Sequence, residues 1–107
     1  MEDAQLLKGI LEGCVLGIIA KGETYGYEIL NQLEAYGFDD LGEGTLYPVL
    51  TRLDKNQYIS CRKEKSPLGP VRKYYSITKE GMSRLEVFKR DYKRIMRNAN
   101  NILFGDN

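Results

Sequence analysis

The chain has no histidine and no tryptophan, and only two cysteines and three prolines among 107 residues. Without histidine, the usual neutral-pH general base and the commonest metal ligand are both missing. No glycine-rich phosphate loop stands between a strand and a helix. The adjacent acids Asp39 and Asp40 fall in a loop and read as turn and solubility residues. Catalysis, a metal and an organic cofactor are therefore not expected. Cys14 and Cys61 have neither metal-ligand nor redox spacing and read as small packed hydrophobes in a reducing compartment. There is no signal-like opening, and the apolar stretch from Leu6 to Ala20 is broken by Lys8 and Glu12. The expectation is a cytoplasmic protein that neither leaves the cell nor crosses a membrane.

What is present is ordinary in amount and unusual in arrangement. Hydrophobic content of 42% and charged content of 29% suit one folded domain. The net charge of +1 conceals a strong asymmetry: residues 1 to 43 carry two cations against nine acids, whereas residues 44 to 79 carry eight cations against two acids. A basic segment beside an acidic one is the electrostatic footprint of a polyanion partner, although lysines on a merely solvated face give the same count.

The basic segment opens with the stretch from Gly44 to Arg62. Leu46, Val49, Leu50 and Leu53 recur at helical spacing and predict one buried stripe. Tyr47, Thr51 and Lys55 then face outward, flanked by Thr45, Pro48 and Arg52. Thr45 is expected as the N-cap, with Pro48 in the first turn. Hydroxyls and cations near a helix N-terminus suit phosphates and base edges, while the bland reading is an ordinary amphipathic surface helix.

Around this helix the pattern predicts a first helix from about Gln5 to Ala20 and a second from about Tyr25 to Tyr36, capped by Thr24 and stopped at Gly37. Gly9, Gly13 and Gly17 lie four apart and are expected to admit a close neighbour. Two strands, Tyr58 to Glu64 and Arg72 to Ile77, flank a Pro/Gly turn region and form a hairpin. Ile59 and Cys61 are expected on one face, opposite Val71, Tyr75 and Ile77, with Arg62, Arg72 and Tyr74 pointing the other way. Three helices followed by a hairpin describe a mainly α (α+β) winged helix-turn-helix with a two-stranded β-hairpin wing. Thr78 then caps a last helix, about Lys79 to Phe104, whose Leu85, Phe88, Tyr92, Ile95, Ala99 and Ile102 keep a heptad rhythm. So long a seam needs covering, and a second copy is favoured over the chain's own first helix. Residues 1–78 are assigned to DNA binding and 79–107 to a C-terminal dimerisation helix. A two-fold dimer implies double-stranded DNA of pseudo-palindromic sequence.

Four blocks, residues 6 to 20 (LLKGILEGCVLGIIA), 25 to 29 (YGYEI), 44 to 53 (GTLYPVLTRL) and 69 to 81 (GPVRKYYSITKEG), together resemble the PadR family of transcriptional regulators over nearly the whole chain. The resemblance implies a winged-helix homodimer, usually a repressor, whose C-terminal helix packs on the partner's first helix through residues such as Leu7, Leu11, Leu85, Phe88, Tyr92, Ile95, Ala99 and Ile102. It implies DNA contacts from Tyr25, Thr45, Tyr47, Thr51, Lys65, Arg72 and Lys73, to which the outward helix face adds Pro48, Arg52 and Lys55. The single short C-terminal helix resembles the compact branch of the family. Some similar proteins bind small aromatic or lipophilic effectors at the dimer centre, where Cys14, Phe88 and Tyr92 are candidates here, but the tryptophan that stacks on drugs in certain relatives is absent. The rival expectation is a winged helix serving as a protein-interaction module.

Overall fold

The computed structural model describes residues 4–105, so the outer limits of the two expected segments, 1 and 107, lie outside the described residues. Elements follow in the order α1 (Ala4–Ile19), β1 (Thr24–Tyr25), α2 (Gly26–Ala35), α3 (Glu43–Lys55), β2 (Ile59–Glu64), β3 (Arg72–Ile77) and α4 (Lys79–Phe104). The core gathers Leu11, Val15, Leu16, Ile18 and Ile19 of α1, Ile29 and Leu33 of α2, the full α3 stripe of Leu46, Val49, Leu50 and Leu53, and Ile59, Tyr75 and Leu85. The 3.6-residue pattern thus reports the buried face of α3 correctly.

The sheet is larger than a hairpin. Its order is β1-β3-β2, antiparallel throughout, with Thr24 opposite Tyr75 and Tyr25 opposite Tyr74. Thr24 is accordingly a strand residue and not a cap: the N-cap position of α2 is Tyr25, whose side chain makes no capping bond. The free edge of β3 offers backbone partners, and β-branched Thr24 and aromatic Tyr25 suit a pleated surface. One cost is visible, since the Thr24 hydroxyl is buried without a hydrogen-bond partner.

In the hairpin, Ile59 pairs with Ile77 and Cys61 with Tyr75 on the core side, while Arg62 meets Tyr74 and Glu64 meets Arg72 on the other. Val71 does not join the paired residues; it precedes β3 and is exposed.

α3 begins earlier than its sequence suggests. Gly42, in extended conformation, is the N-cap, and its carbonyl accepts from the Thr45 and Leu46 N–H groups. Thr45 therefore lies inside the first turn and Pro48 inside the helix, where proline offers no N–H to the Gly44 carbonyl. Glu43 in the first turn complements the positive end of the helix.

Two helices end on residues in the left-handed region. α2 closes on Gly37 at φ +105°, with Phe38 N–H donating to the Leu33 carbonyl and Gly37 N–H to the Glu34 carbonyl. α3 closes in the same way on Gln57 at φ 65°, a left-handed position taken by a non-glycine residue. The Thr78 hydroxyl donates to the Gln57 carbonyl at 2.6 Å and accepts the Gly81 N–H at 2.9 Å. One threonine thus caps α4, as expected, and ties its start to the end of α3.

Of the three spaced glycines in α1, only Gly13 meets a neighbour. A Cβ there would stand 2.1 Å from the Phe88 ring, whereas Gly9 and Gly17 face open space.

Candidate nucleic-acid interface

α3 turns its stripe inward and leaves Thr45, Tyr47, Pro48, Thr51, Arg52 and Lys55 exposed. At 100° per residue, Thr51 and Lys55 stand near the middle of this face, with Tyr47 on one flank and Arg52 on the other. Thr51 donates its hydroxyl to the Tyr47 carbonyl at 2.9 Å, which fixes its rotamer while leaving lone pairs free. Arg52 leans toward α1, its Nε 3.8 Å from Glu12 Oε1, so part of its charge is already answered within the chain.

Tyr47 is held by a feature that no local sequence pattern reveals. A Cβ on Gly26 would come 2.6 Å from the Tyr47 hydroxyl, so the glycine that opens α2 is what lets the phenol lie against that helix. Beside it a groove of about 1030 Å³ runs between the start of α2 and the hairpin, lined by Tyr25, Tyr27, Tyr47, Lys65, Arg72 and Lys73 among others. Five of the ten expected DNA-contacting residues, Tyr25, Tyr47, Lys65, Arg72 and Lys73, therefore meet around one groove, while the other five are exposed on α3 outside its lining. Arg72 stacks its guanidinium over Tyr25, 4.5 Å from the ring centre.

The hairpin's charges divide into two kinds. Arg62 is satisfied internally: its Nε and Nη2 donate to Glu23 at 2.9 Å each and its Nη1 to Glu64 at 2.5 Å. The hydrogen bond from Arg62 holds the Glu23 carboxyl below the usual carboxylate range. By contrast, Lys63 lies directly opposite Lys73 across the hairpin, and like charges so placed repel until an anion comes between them. Lys63 belongs with the candidate contacts; strand register reveals it, and counting charge does not.

The residues expected at a partner interface fall in different places. Leu11 and Leu85 are buried in the chain's own core, and Leu7 is half-buried. Phe88 fills the notch at Gly13 and stacks on Tyr92 at 6.0 Å between ring centres. Tyr92, Ile95 and Ile102 are exposed, and Ala99 is half-covered. Cys14 lines a separate cavity of about 570 Å³ with Ile18, Leu33, Phe38 and Leu85 among others; Phe88 and Tyr92 are not part of its lining. Burial raises the Cys14 thiol above its ordinary value of 9.0, keeping it protonated at neutral pH.

The sequence matches the Transcriptional regulator PadR-like family over residues 15–87. The chain belongs to this family. The crystal structure of a PadR-like transcriptional regulator from Bacillus cereus is 45% identical, covers 96% of this chain and 100% of that one, and superposes with a TM-score of 0.83. A Streptococcus transcriptional regulator is 46% identical over 92% of this chain and 97% of its own, with a TM-score of 0.80. Bacillus subtilis PadR, solved in complex with operator DNA, is 26% identical and has a TM-score of 0.67; the match covers 74% of this chain and 46% of that one. The winged-helix architecture expected from the order of elements is thus the architecture of a PadR-like regulator. Among the described residues no helix is long and apolar enough to cross a membrane.

Proposed function

We propose that this PadR-like regulator binds double-stranded DNA as a homodimeric repressor in the cytoplasm, has no catalytic activity, and occupies a pseudo-palindromic operator. In this reading residues 1–78 read DNA, with α3 in the major groove and the hairpin against the adjoining backbone, and residues 79–107 pair with a second copy. The observation that carries the DNA reading is Tyr47, on the outward face of α3, meeting Tyr25, Lys65, Arg72 and Lys73 around a single groove. The uncovered end of α4 and the family's operator-bound member support the rest. Base contacts fall to Tyr47 and Thr51; phosphate contacts fall to Lys55, Lys65 and Lys73. A small aromatic or lipophilic effector at the dimer centre changes the spacing of the two reading heads. Half-sites one turn apart lie about 34 Å between centres, so small rotations abolish simultaneous engagement.

The test is a salt titration of binding to the chain's own upstream region and to random duplex. A DNA reader loses affinity steeply as salt rises, in proportion to the phosphates it neutralises. Tyr47→Ala is expected to reduce discrimination between the two duplexes, and Lys65→Ala to weaken both about equally. Binding that is flat in salt and blind to sequence would assign the fold to protein interaction instead.

A further inference from the structure

On the outer face of the hairpin the charged and aromatic side chains form one file. Glu23, in the turn before β1, grips Arg62 with both carboxylate oxygens at 2.9 Å and accepts the Ser76 hydroxyl at 3.4 Å. The Arg62 guanidinium lies over the Tyr74 ring, 4.6 Å from its centre. Tyr74 meets Tyr25 edge-on, with ring centres 5.7 Å apart at 71°. Tyr25 in turn carries the Arg72 guanidinium. The file starts at an ion pair outside the groove and ends at a cation inside it. Each step is a geometry that aromatic rings and guanidinium planes favour, and an arginine stacked in advance loses less freedom when it takes up a phosphate.

Glu23 is otherwise badly placed, because a carboxylate beside a phosphate-binding surface lowers the local potential. We propose that Glu23 is a positioning residue for DNA binding: through Arg62, Tyr74 and Tyr25 it fixes the Arg72 guanidinium in the groove, so this acidic side chain strengthens the hold on DNA. The role rests on the DNA reading proposed above, and its test separates the two.

The experiment compares full-length protein with Glu23→Gln by fluorescence anisotropy on a labelled duplex of the chain's own upstream region, together with the relaxation of the Arg72 Nε–H signal in the free protein. Simple Coulomb reasoning has the variant bind more tightly, since it removes a negative charge. Positioning has it bind about three- to tenfold more weakly, a coupling of the size found within side-chain networks, with a visibly looser Arg72 Nε–H. Tyr74→Leu is expected to reproduce the loss and Tyr74→Phe, which keeps the ring, to restore it. Glu23→Gln combined with Tyr74→Leu is expected to cost no more than either alone. Equal or tighter binding by Glu23→Gln, an unchanged Arg72 signal, or additive losses in the double variant overturns the proposal. If the wild-type protein ignores the duplex while Arg72 still loosens in the variant, the ordering is real but the DNA reading has failed, and the positioning role falls with it.

Discussion

Between Thr78 and Phe88, α4 is attached at every turn: Thr78 caps it, Gly81 lies against the Tyr58 backbone, Leu85 is 3% exposed in the core, and Phe88 enters the notch at Gly13. From Lys89 onward the same heptad rhythm continues, yet Ile95 is 49% exposed and Ile102 84%, with Leu103 and Phe104 also uncovered. The helix is 26 residues long, about 39 Å, and the body of the chain reaches alongside only its first part. One pattern thus serves two purposes. In the near half it completes a core. In the far half it lays out an apolar stripe that the single chain does not bury, the kind of surface that marks an interface.

The strongest way to break this contrast is Gly81→Ala. A Cβ there would stand 1.9 Å from the Tyr58 carbonyl oxygen, a backbone atom that cannot swing aside. Lifting the start of α4 off the Tyr58 backbone is expected to cost about 3 kcal/mol or more in urea unfolding. A near-neutral result would show that the near half is not anchored as described. Next in size is a matched pair of truncations. Leu85→Ala is expected to cost about 2–5 kcal/mol, the range for an aliphatic side chain removed from a packed core, and Ile102→Ala within about 0.5 kcal/mol in dilute solution. Equal losses would erase the distinction between the halves.

These two halves also show what a sequence can reveal. The stripe on α4 is legible because its period is set by helix geometry; where the covering stops is not, because the period is identical on both sides of Phe88. α3 was legible for the same reason, and its outward face followed as the complement of its stripe. Its start is hidden because Thr45 has a capping side chain, while Gly42 caps with extended backbone and a carbonyl alone. β1 has two residues, too few for any alternation, and exists because β3 has a free edge. At the candidate site, Tyr25, Tyr47 and the hairpin cations were readable as types suited to nucleic acid. The Glu23–Arg62 pair spans 39 positions and depends on strand register, as does Lys63 facing Lys73. Gly26 gave no signal at all, because its partner Tyr47 lies on another helix.

A smaller effect sharpens the near half. Thr78→Ala removes both the acceptor for Gly81 N–H and the donor to the Gln57 carbonyl. Loss of an N-cap costs about 1 kcal/mol, and thermal unfolding of the variant is expected to shift by that amount with no change in the urea m-value. A Thr78→Ser control, which keeps the hydroxyl, is expected to recover most of it. Failure of that recovery would locate the effect in the lost methyl group and detach α4's start from the end of α3.

The smallest effect on the single chain is also the most telling about the far half. Ile95→Glu combined with Ile102→Glu puts carboxylates on positions already open to water, so neither desolvation nor a cavity arises in an isolated molecule, and surface changes of this sort stay within about 0.5 kcal/mol. Pairing of two copies links folding to association, and the thermal midpoint then climbs with protein concentration by mass action. The wild-type chain is therefore expected to gain stability between micromolar and hundred-micromolar samples. The double variant is expected to melt at one temperature throughout and to sediment as a monomer. A wild-type midpoint independent of concentration, or a variant that destabilises the dilute monomer as Leu85→Ala does, would mean that the far half is covered by the chain itself and that the uncovered stripe is not where copies meet.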